Sequence, residues 1–509
     1  MNEETRTISD WLEIWSELYG NHEALCDCRS SYSYQALNTN VKNLSLGLSK
    51  IGIRKNDKVI LQMENRNEFV FAFFALVSLG SVPILVTPGL RINDLVVIAE
   101  KTNPVMYIRP DEYMGFSYAK MGVDLQLMNP SIKNILGASD ILKMMKCTYN
   151  NVIRDERIDS EDIALILLSG GTTNVPKLIP ITNHAFIYHS THAGKICQLN
   201  QDSTYMAVMP VEHKLTLFSP GIMGTLFNGG KVVMCSDSSC DIAFSMIEKE
   251  KVSIVGLVPS VAKIWIEDLE WEDSYNLSSL QYCVLGGARL EAADACQIMN
   301  TLECNIIQAY GMSEGFLCLS RGDDSQYERT FYQGKPISEM DQVKIVDDYG
   351  QEQPCEEIGE IIVKGPYLFS GYYEMDSSNC FTADGFYHTG DLGYVTANGY
   401  IKITGRKSEQ INRMGEKIMP SEIEEYLNEH EKIKEATVVG ISDTMLGERS
   451  CAFVRTCHKN LKVEEVRDYL NSRGIAQFKI PDQIIIVEDF PYTAAGKINK
   501  KLLINMAER

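Results

Sequence analysis

The stretch "SGGTTNVPK", Ser169 to Lys177, packs three hydroxyls, two glycines and a lysine into nine residues. Ser169, Thr172 and Thr173 offer hydroxyl groups, Gly170 and Gly171 offer flexible backbone amides, and Lys177 offers a cation. That set suits the β- and γ-phosphates of a nucleotide. A Walker A loop does not fit, because it needs Gly-Lys-Ser/Thr with a helix directly after it. Here Pro176 precedes Lys177 and the extended run "LIPIT" (178–182) follows. With the apolar "DIALILLS" (162–169) before it, the segment reads as strand–loop–strand, and the next helix is expected to start at Asn183 as its cap. A glycine hairpin without a ligand carries the same residues, so the loop alone does not define a site.

Other stretches supply the missing company. "GGARLE" (286–291) puts Gly286, Gly287 and Ala288 in a turn after a strand. "QAYGMSEG" (308–315) puts an aromatic, a glycine, a hydroxyl and a carboxylate together after another. At the C-terminal ends of parallel strands such groups face a ligand crevice. Tyr310 can stack on a base, Ser313 can bond a phosphate, and Glu314 can hold Mg²⁺. "FYHTGDLG" (386–393) presents Asp391, an acceptor for ribose hydroxyls, and "GRKSEQINRMGEK" (405–417) presents Arg406. "PYTAAGKINKKLL" (491–503) closes the series with Lys497 in a turn of small residues. Singly, Glu314 reads as a solvated loop charge, Asp391 as a turn cap and Lys497 as a surface lysine. Their order and joint occurrence argue for one nucleotide site.

The elements that must position these groups alternate between strand and helix. "DKVILQM", "VPILVT", "KVVMC", "VSIVGLV", "LQYCVLGG" and "CNIIQAYG" read as strands, with helices such as "NEFVFAFFALVSLG" (67–80) and "DIAFSMIEKEK" (241–251) between them. That alternation predicts parallel sheets covered by helices, an α/β class. From about 330 to 405 the glycine-rich runs "GEIIVKG", "GYY", "DGFYHTGD" and "NGYIKITG" predict short antiparallel strands, a small barrel-like part with turns at Asp384-Gly385 and Asn398-Gly399. A compact α+β unit follows, with helices over 420–430 and 462–474. The expected domains are therefore 1–405, including the β-rich subdomain, and 406–509.

The chain has 509 residues, 48 basic and 68 acidic side chains, and a formal charge of −20. That balance argues against nucleic acid as the main partner. Fourteen cysteines without metal-ligand spacing, and an N-terminus without a signal-peptide pattern, predict a reduced cytoplasmic protein. The uncharged run from Phe69 to Val86 is interrupted by Gly80 and Pro83, so a buried helix–turn–strand is expected rather than a membrane span.

The motif set resembles the adenylate-forming superfamily of acyl-CoA synthetases, nonribosomal adenylation domains and luciferases, from about residue 10 to 505. The resemblance implies that Ser169–Thr173 and Lys177 wrap the phosphates of ATP. It implies that Tyr310 stacks on adenine beside Gly286, Gly287 and Ala288, with Gly311, Met312 and Ser313 in the same site. Glu314 would bind Mg²⁺, Asp391 and Arg406 would hold the ribose, and Lys497 would bridge the carboxylate and the α-phosphate. His213 joins Lys497 and Glu314 as an implied catalytic residue. Within the superfamily, "SPGIMGTLFNGGKVV", "LVPSVAKIW", "GERSCAFV" and "KIPDQIIIVEDFP" look like free-standing ligases that activate aromatic acids in siderophore synthesis. Those hand the acyl group to the phosphopantetheine thiol of a separate carrier protein. No carrier-like motif follows residue 410, which agrees with a stand-alone ligase. A hinge at Glu409, where Asp or Lys is usual, would let the small domain rotate between the two half-reactions. Two alternatives remain open at this stage: a CoA ligase for an aromatic or fatty acid, and an inactive nucleotide-binding relative.

Two departures stand out. Asn174 replaces a usual glycine in the loop. In "PVEHKLTLFSP" (210–220), Lys214 and Leu215 stand where the aryl-acid enzymes place Asn and Tyr against the substrate's 2-hydroxyl. A lysine there disfavours an α-amino acid by charge repulsion. Lys214 either serves a phenolate, a ring nitrogen or a second acidic group, or turns out of an apolar pocket. His213, Leu215, Ser219, Leu285, Phe316 and Leu317 are the other expected wall residues.

Overall fold

The structure is a computed structural model, describing residues 6–147, 157–169, 176–269, 271, 274–414, 416–456, 458, 461–492 and 498–508. Its chain divides into two compact units. One comprises Met1–Thr330, Gly334–Asp341 and Lys364–Phe381; the other comprises Phe331–Gln333, Gln342–Val363 and Thr382–Arg509.

Among the described residues, two large sheets and a two-stranded hairpin of Glu112–Tyr113 and Phe116–Ser117 form the sheets of the first unit. The larger has nine strands, and six neighbours at its centre, Glu23–Cys26, Lys231–Met234, Thr204–Ala207, Ile254–Leu257, Tyr282–Gly286 and Asn305–Gly311, are parallel. Leu317–Leu319 and Lys335–Pro336 extend it antiparallel. The second sheet has six strands, in which Lys58–Gln62, Val82–Val86, Met106–Arg109, Asn134–Gly137 and Ile163–Leu168 are parallel and Leu178–Thr182 returns antiparallel at the edge. The central positions of these strands are apolar and buried, as in Val59–Leu61 and Ile254–Leu257, as expected of strands covered on both faces.

The run from Phe69 to Val86 folds as the helix Asn67–Ser78 and the strand Val82–Val86, with Gly80 at φ +69 in the turn between them. Every residue from Asn67 to Val77 is buried. This helix packs against the helices Ile8–Tyr19 and Tyr34–Lys50, so its hydrophobicity on all sides serves the interior of the protein. No helix among the described residues is long and apolar enough to cross a membrane. The thirteen described cysteines are all free.

Two local expectations need correction. The helix Asn183–Ile196 is capped by Thr182, whose hydroxyl accepts from the Ala185 amide at 3.1 Å. Asn183 lies one residue inside it, and its Oδ1 accepts from the Ile8 amide at 3.3 Å instead. A β-branched Thr ends the preceding strand as readily as it caps a helix, and that dual fit moved the boundary. "GYY" is not a strand: Gly371–Tyr373 lies in an irregular segment, with Tyr373 N–H donating to Leu178 O at 2.9 Å.

In the second unit, a four-stranded sheet of Gln342–Val346, Gly359–Lys364, Tyr387–Val395 and Ile401–Arg406 carries the hairpin turn at Asn398-Gly399, where Gly399 has φ +81. A five-stranded sheet follows. Along Glu435–Asp443, Val438 packs with Ile423, Leu427, Val466 and Leu470 on one face, while Val439 packs with Leu503 and Phe490 on the other. The period of two thus buries both faces under helices.

Candidate active site

Thr204–Ala207, Ile254–Leu257, Tyr282–Gly286 and Asn305–Gly311 run parallel as sheet neighbours. The C-terminal ends of three of them and the residues that follow therefore emerge at one sheet edge: Val208–Leu215, Gly286–Ala288 and Tyr310–Glu314. Ligands of open α/β sheets bind at that edge. The register sets Gly286 opposite Ala309, where an added Cβ would stand 3.0 Å from Ala309 O. Gly287 adopts φ +83, a left-handed turn that favours glycine.

The loop after Gly311 is a tight reversal into Leu317–Leu319. Met312 N–H donates to Phe316 O at 3.1 Å, and Gly315 N–H donates to Met312 O at 3.1 Å. Gly315 has φ +138, and a Cβ there would lie 2.5 Å from Tyr367 O, so only glycine lets the two segments approach. Glu314 sits on this reversal. Its Oε1 accepts from the Tyr372 hydroxyl at 2.9 Å, and its carbonyl accepts from Phe369 N–H at 2.7 Å. Tyr310 meets the Phe316 ring edge-on, centroids 6.3 Å apart.

Ser169 and Lys177 face each other across the ends of the two flanking strands. Ser169 N–H donates to Lys177 O at 2.9 Å, and Lys177 N–H donates to Ser169 Oγ at 3.1 Å. Flanking strands pair Leu168 with Leu178, so a strand and not a helix follows Lys177. The Lys177 ammonium lies 4.4 Å from the centroid of the Tyr372 ring. Gly170, Gly171, Thr172, Thr173 and Asn174 lie outside the described residues, as does Lys497.

The segment expected to face the acid folds as the short helix Lys214–Phe218 with His213 at its N-cap, exposed. Lys214 turns toward the Glu314 loop. Its ammonium donates to Met312 O at 2.7 Å, Gly315 O at 2.5 Å and Phe316 O at 3.1 Å. An ammonium has three donors, and three carbonyls take them. Burial pushes Lys214 down to about 7, with Glu314, Asp341 and Cys318 opposing the shift by charge. The hydrogen bonds to the carbonyls also favour the charged form. The Asp341 carboxyl accepts from the Tyr367 hydroxyl at 2.6 Å, and burial raises it to about 6.

Leu285, Phe316, Leu317 and Ser219 are buried, and Leu215 is half-buried. Ser219 Oγ lies 2.7 Å from His189 Nε2. Burial, reinforced by the Lys214 charge, holds His189 well below the usual imidazole range, so the ring is neutral. A Cβ at Gly256 would stand 3.6 Å from Leu215 Cγ and 2.9 Å from the Tyr205 hydroxyl, so the missing side chain leaves room beside Leu215.

In the second unit, Asp391 is paired across the strands with Arg406, whose Nε donates to Asp391 Oδ1 at 3.0 Å. Glu409 ends a short 3₁₀ turn and pairs with Lys500 at 2.8 Å. Sequence reasoning missed Tyr372, His189, Tyr367 and Asp341. Nothing in their spacing announces them, because each reaches its partner through tertiary contact.

Glycine turns and a carboxylate at the ends of parallel strands, beside a lysine-flanked hairpin, define a nucleotide-handling α/β enzyme. The family model described as AMP-binding enzyme matches residues 12–373, and the AMP-binding enzyme C-terminal domain matches residues 422–497. The chain is similar to the 2,3-dihydroxybenzoate-AMP ligase of Bacillus subtilis, 36% identical over 501 residues covering 98% of this chain and 93% of the relative. It is also similar to the salicyl-AMP ligase / salicyl-S-ArCP synthetase of Mycobacterium tuberculosis, 33% identical over 479 residues covering 93% and 85% of the two chains. Among solved structures, the apo form of MbtA from Mycobacterium smegmatis matches with TM-score 0.75 at 31% identity, covering 99% of this chain and 95% of that one. The chain belongs to the AMP-binding enzyme family and is an adenylate-forming ligase.

Proposed function

We propose that this ligase activates an aromatic or heteroaromatic carboxylic acid with Mg·ATP and passes the acyl group to a separate carrier protein in siderophore or nonribosomal-peptide synthesis. A carboxylate oxygen attacks the α-phosphorus, the bond to pyrophosphate breaks, and acyl-AMP forms. The phosphopantetheine thiol then attacks the acyl carbon, and AMP leaves. The relatives' names support both halves, one being a 2,3-dihydroxybenzoate-AMP ligase and the other a salicyl-S-ArCP synthetase. Free cysteines and the lack of a membrane-crossing helix among the described residues are compatible with a cytoplasmic enzyme.

The roles follow from chemistry. Ser169, Gly170, Gly171, Thr172, Thr173 and Lys177 hold the departing pyrophosphate. Gly286, Gly287, Ala288, Tyr310, Gly311, Met312 and Ser313 hold adenine and the adjoining phosphate, and Asp391 and Arg406 take the ribose. His213, on the exposed rim beside Lys214, serves the acid end, and Glu409 serves as the hinge. Glu314 fits Mg²⁺: one carboxylate, with Oε1 held by Tyr372 and Oε2 left to the ion, matches a cation that binds through one or two carboxylates plus substrate phosphates. Bound there, Mg²⁺ would offset negative charge on the phosphates. The observation that carries the reading is that a single side chain, Tyr372, meets both Lys177 and Glu314.

For the acid, Lys214 has spent its donors on the backbone. The ring then meets Leu215, Leu285, Phe316 and Leu317, while the Ser219 hydroxyl is held by His189. A wall that does not bond a 2-hydroxyl discriminates weakly for or against it. In pyrophosphate exchange, benzoate is therefore expected within roughly tenfold of salicylate in kcat/KM. A preference of a thousandfold would return Lys214 or its neighbours to reading the hydroxyl. Thiol transfer, measured against CoA and a phosphopantetheinylated aryl carrier, tests the second half. Acylation of CoA as fast as any carrier would make this a CoA ligase.

A further inference from the structure

The segment after Lys364 straps two parts of the first unit together. Phe369 N–H donates to Glu314 O at 2.7 Å, and Tyr373 N–H donates to Leu178 O at 2.9 Å, one residue beyond Lys177. Between those anchors stands Tyr372, largely buried. Its hydroxyl donates to Glu314 Oε1 at 2.9 Å, and its ring faces the Lys177 ammonium at 4.4 Å. The Phe369 ring packs edge-on against it at 4.9 Å, and its own N–H donates to Ser377 Oγ at 2.9 Å, so the side chain is held from several sides.

Lys177 and Glu314 carry opposite charges on segments bound to the same strap. Left to themselves, two such groups gain by pairing directly. A direct pair would have to break before a phosphate could reach the lysine and a cation the carboxylate. We infer that Tyr372 is a positioning residue that keeps these charges apart and aimed: its hydroxyl fixes the metal-binding carboxylate, and its ring gives Lys177 a cation–π perch until phosphate arrives. This rests on the nucleotide-site reading above. A cation–π contact is a modest attraction that a phosphate outcompetes, whereas the hydrogen bond to Glu314 leaves Oε2 open and persists with the ion bound. The site is thus arranged before the nucleotide enters, which lowers the reorganisation that binding requires.

Two substitutions separate the parts. Tyr372→Phe removes the hydroxyl and keeps the ring; Tyr372→Leu removes both. ATP affinity is measured by calorimetry, without the acid, in excess Mg²⁺ and in EDTA. Tyr372→Phe is expected to cut the Mg²⁺-dependent gain in affinity roughly tenfold, the worth of one hydrogen bond to a charged group, while binding in EDTA stays at the wild-type value. Tyr372→Leu is expected to lose the same gain and also to weaken binding in EDTA, as Lys177 and Glu314 pair. Loss of affinity by Tyr372→Phe to the same extent in both conditions would mark a merely structural residue and overturn the inference. So would a wild-type Mg²⁺ gain that both variants keep. A wild-type chain whose ATP affinity ignores Mg²⁺ overturns the nucleotide-site reading as well, which keeps the two failures distinct.

Discussion

Lys497→Ala is expected to lower acyl-adenylate formation by about 10²–10³-fold, the usual loss on removing one preorganised donor from a site of developing charge. In the first half-reaction, a carboxylate approaches a phosphate, and both are negative. A cation between them screens that repulsion and stabilises the charge that accumulates around the α-phosphorus. In the second half-reaction, a thiol meets an acyl carbon already activated by AMP, and no phosphate is attacked. Thioester formation from supplied acyl-adenylate should therefore stay near the wild-type rate. The check is to run pyrophosphate exchange and single-turnover thiolation side by side on the same preparation. Comparable losses in both would remove Lys497 from the bridging role that the resemblance implies for it.

Lys214→Met should lower kcat/KM by up to ~10²-fold, and by the same factor for every acid, because the reversal carrying Glu314 loses its brace and small misplacements in a site are costly. Met312 O and Phe316 O each keep a backbone N–H partner in the turn, so Gly315 O bears most of the loss. Methionine fills a similar volume and restores none of the three bonds. A changed rank order of acids, in place of a common factor, would show that Lys214 reads the substrate.

The same residue predicts a pH effect. Lys214 titrates at about 7 in the folded chain against 10.5 for the free side chain. Between those values the unfolded chain binds the extra proton, so stability from this group rises with pH from about 7 toward 10.5 and is lost as pH falls back toward 7. The groups facing it, Glu314, Asp341, Cys318 and the neutral His189, moderate the slope without reversing it. Urea unfolding of the wild type and of Lys214→Met at pH 7 and pH 9.5 tests this directly: the variant's stability relative to the wild type should be higher at pH 7 than at pH 9.5. A constant difference would place the Lys214 pKa outside that range.

Much of the fold follows from local pattern. The apolar cores of "VSIVGLV" and "LQYCVLGG" become the covered parallel strands Ile254–Leu257 and Tyr282–Gly286, in which no charged residue interrupts the burial of either face. Gly80 divides the long hydrophobic run into the observed helix and strand, while Pro83 lies inside the strand. Boundaries were less legible. Thr182 suits both the end of a strand and the start of a helix, and only the hydrogen bond to Ala185 N–H assigns it. "GYY" carries β-forming residues, yet its backbone bonds to Leu178 and holds it in an irregular strap.

What the sequence alone determined is the chemical inventory and its order: the hydroxyl- and glycine-rich loop before Lys177, the turn at Gly286–Ala288, the aromatic and carboxylate of "QAYGMSEG", and the Asp391 and Arg406 positions. Residue identity sets donor, acceptor and charge, so these are legible without coordinates. Only the tertiary structure decided where Lys214 spends its charge and which side chain meets both Lys177 and Glu314. Those outcomes depend on carbonyl directions in a turn about a hundred residues from Lys214 and on a strap that returns 58 positions after Glu314. Neither geometry is encoded in local spacing, because each is fixed by packing between segments distant in the chain.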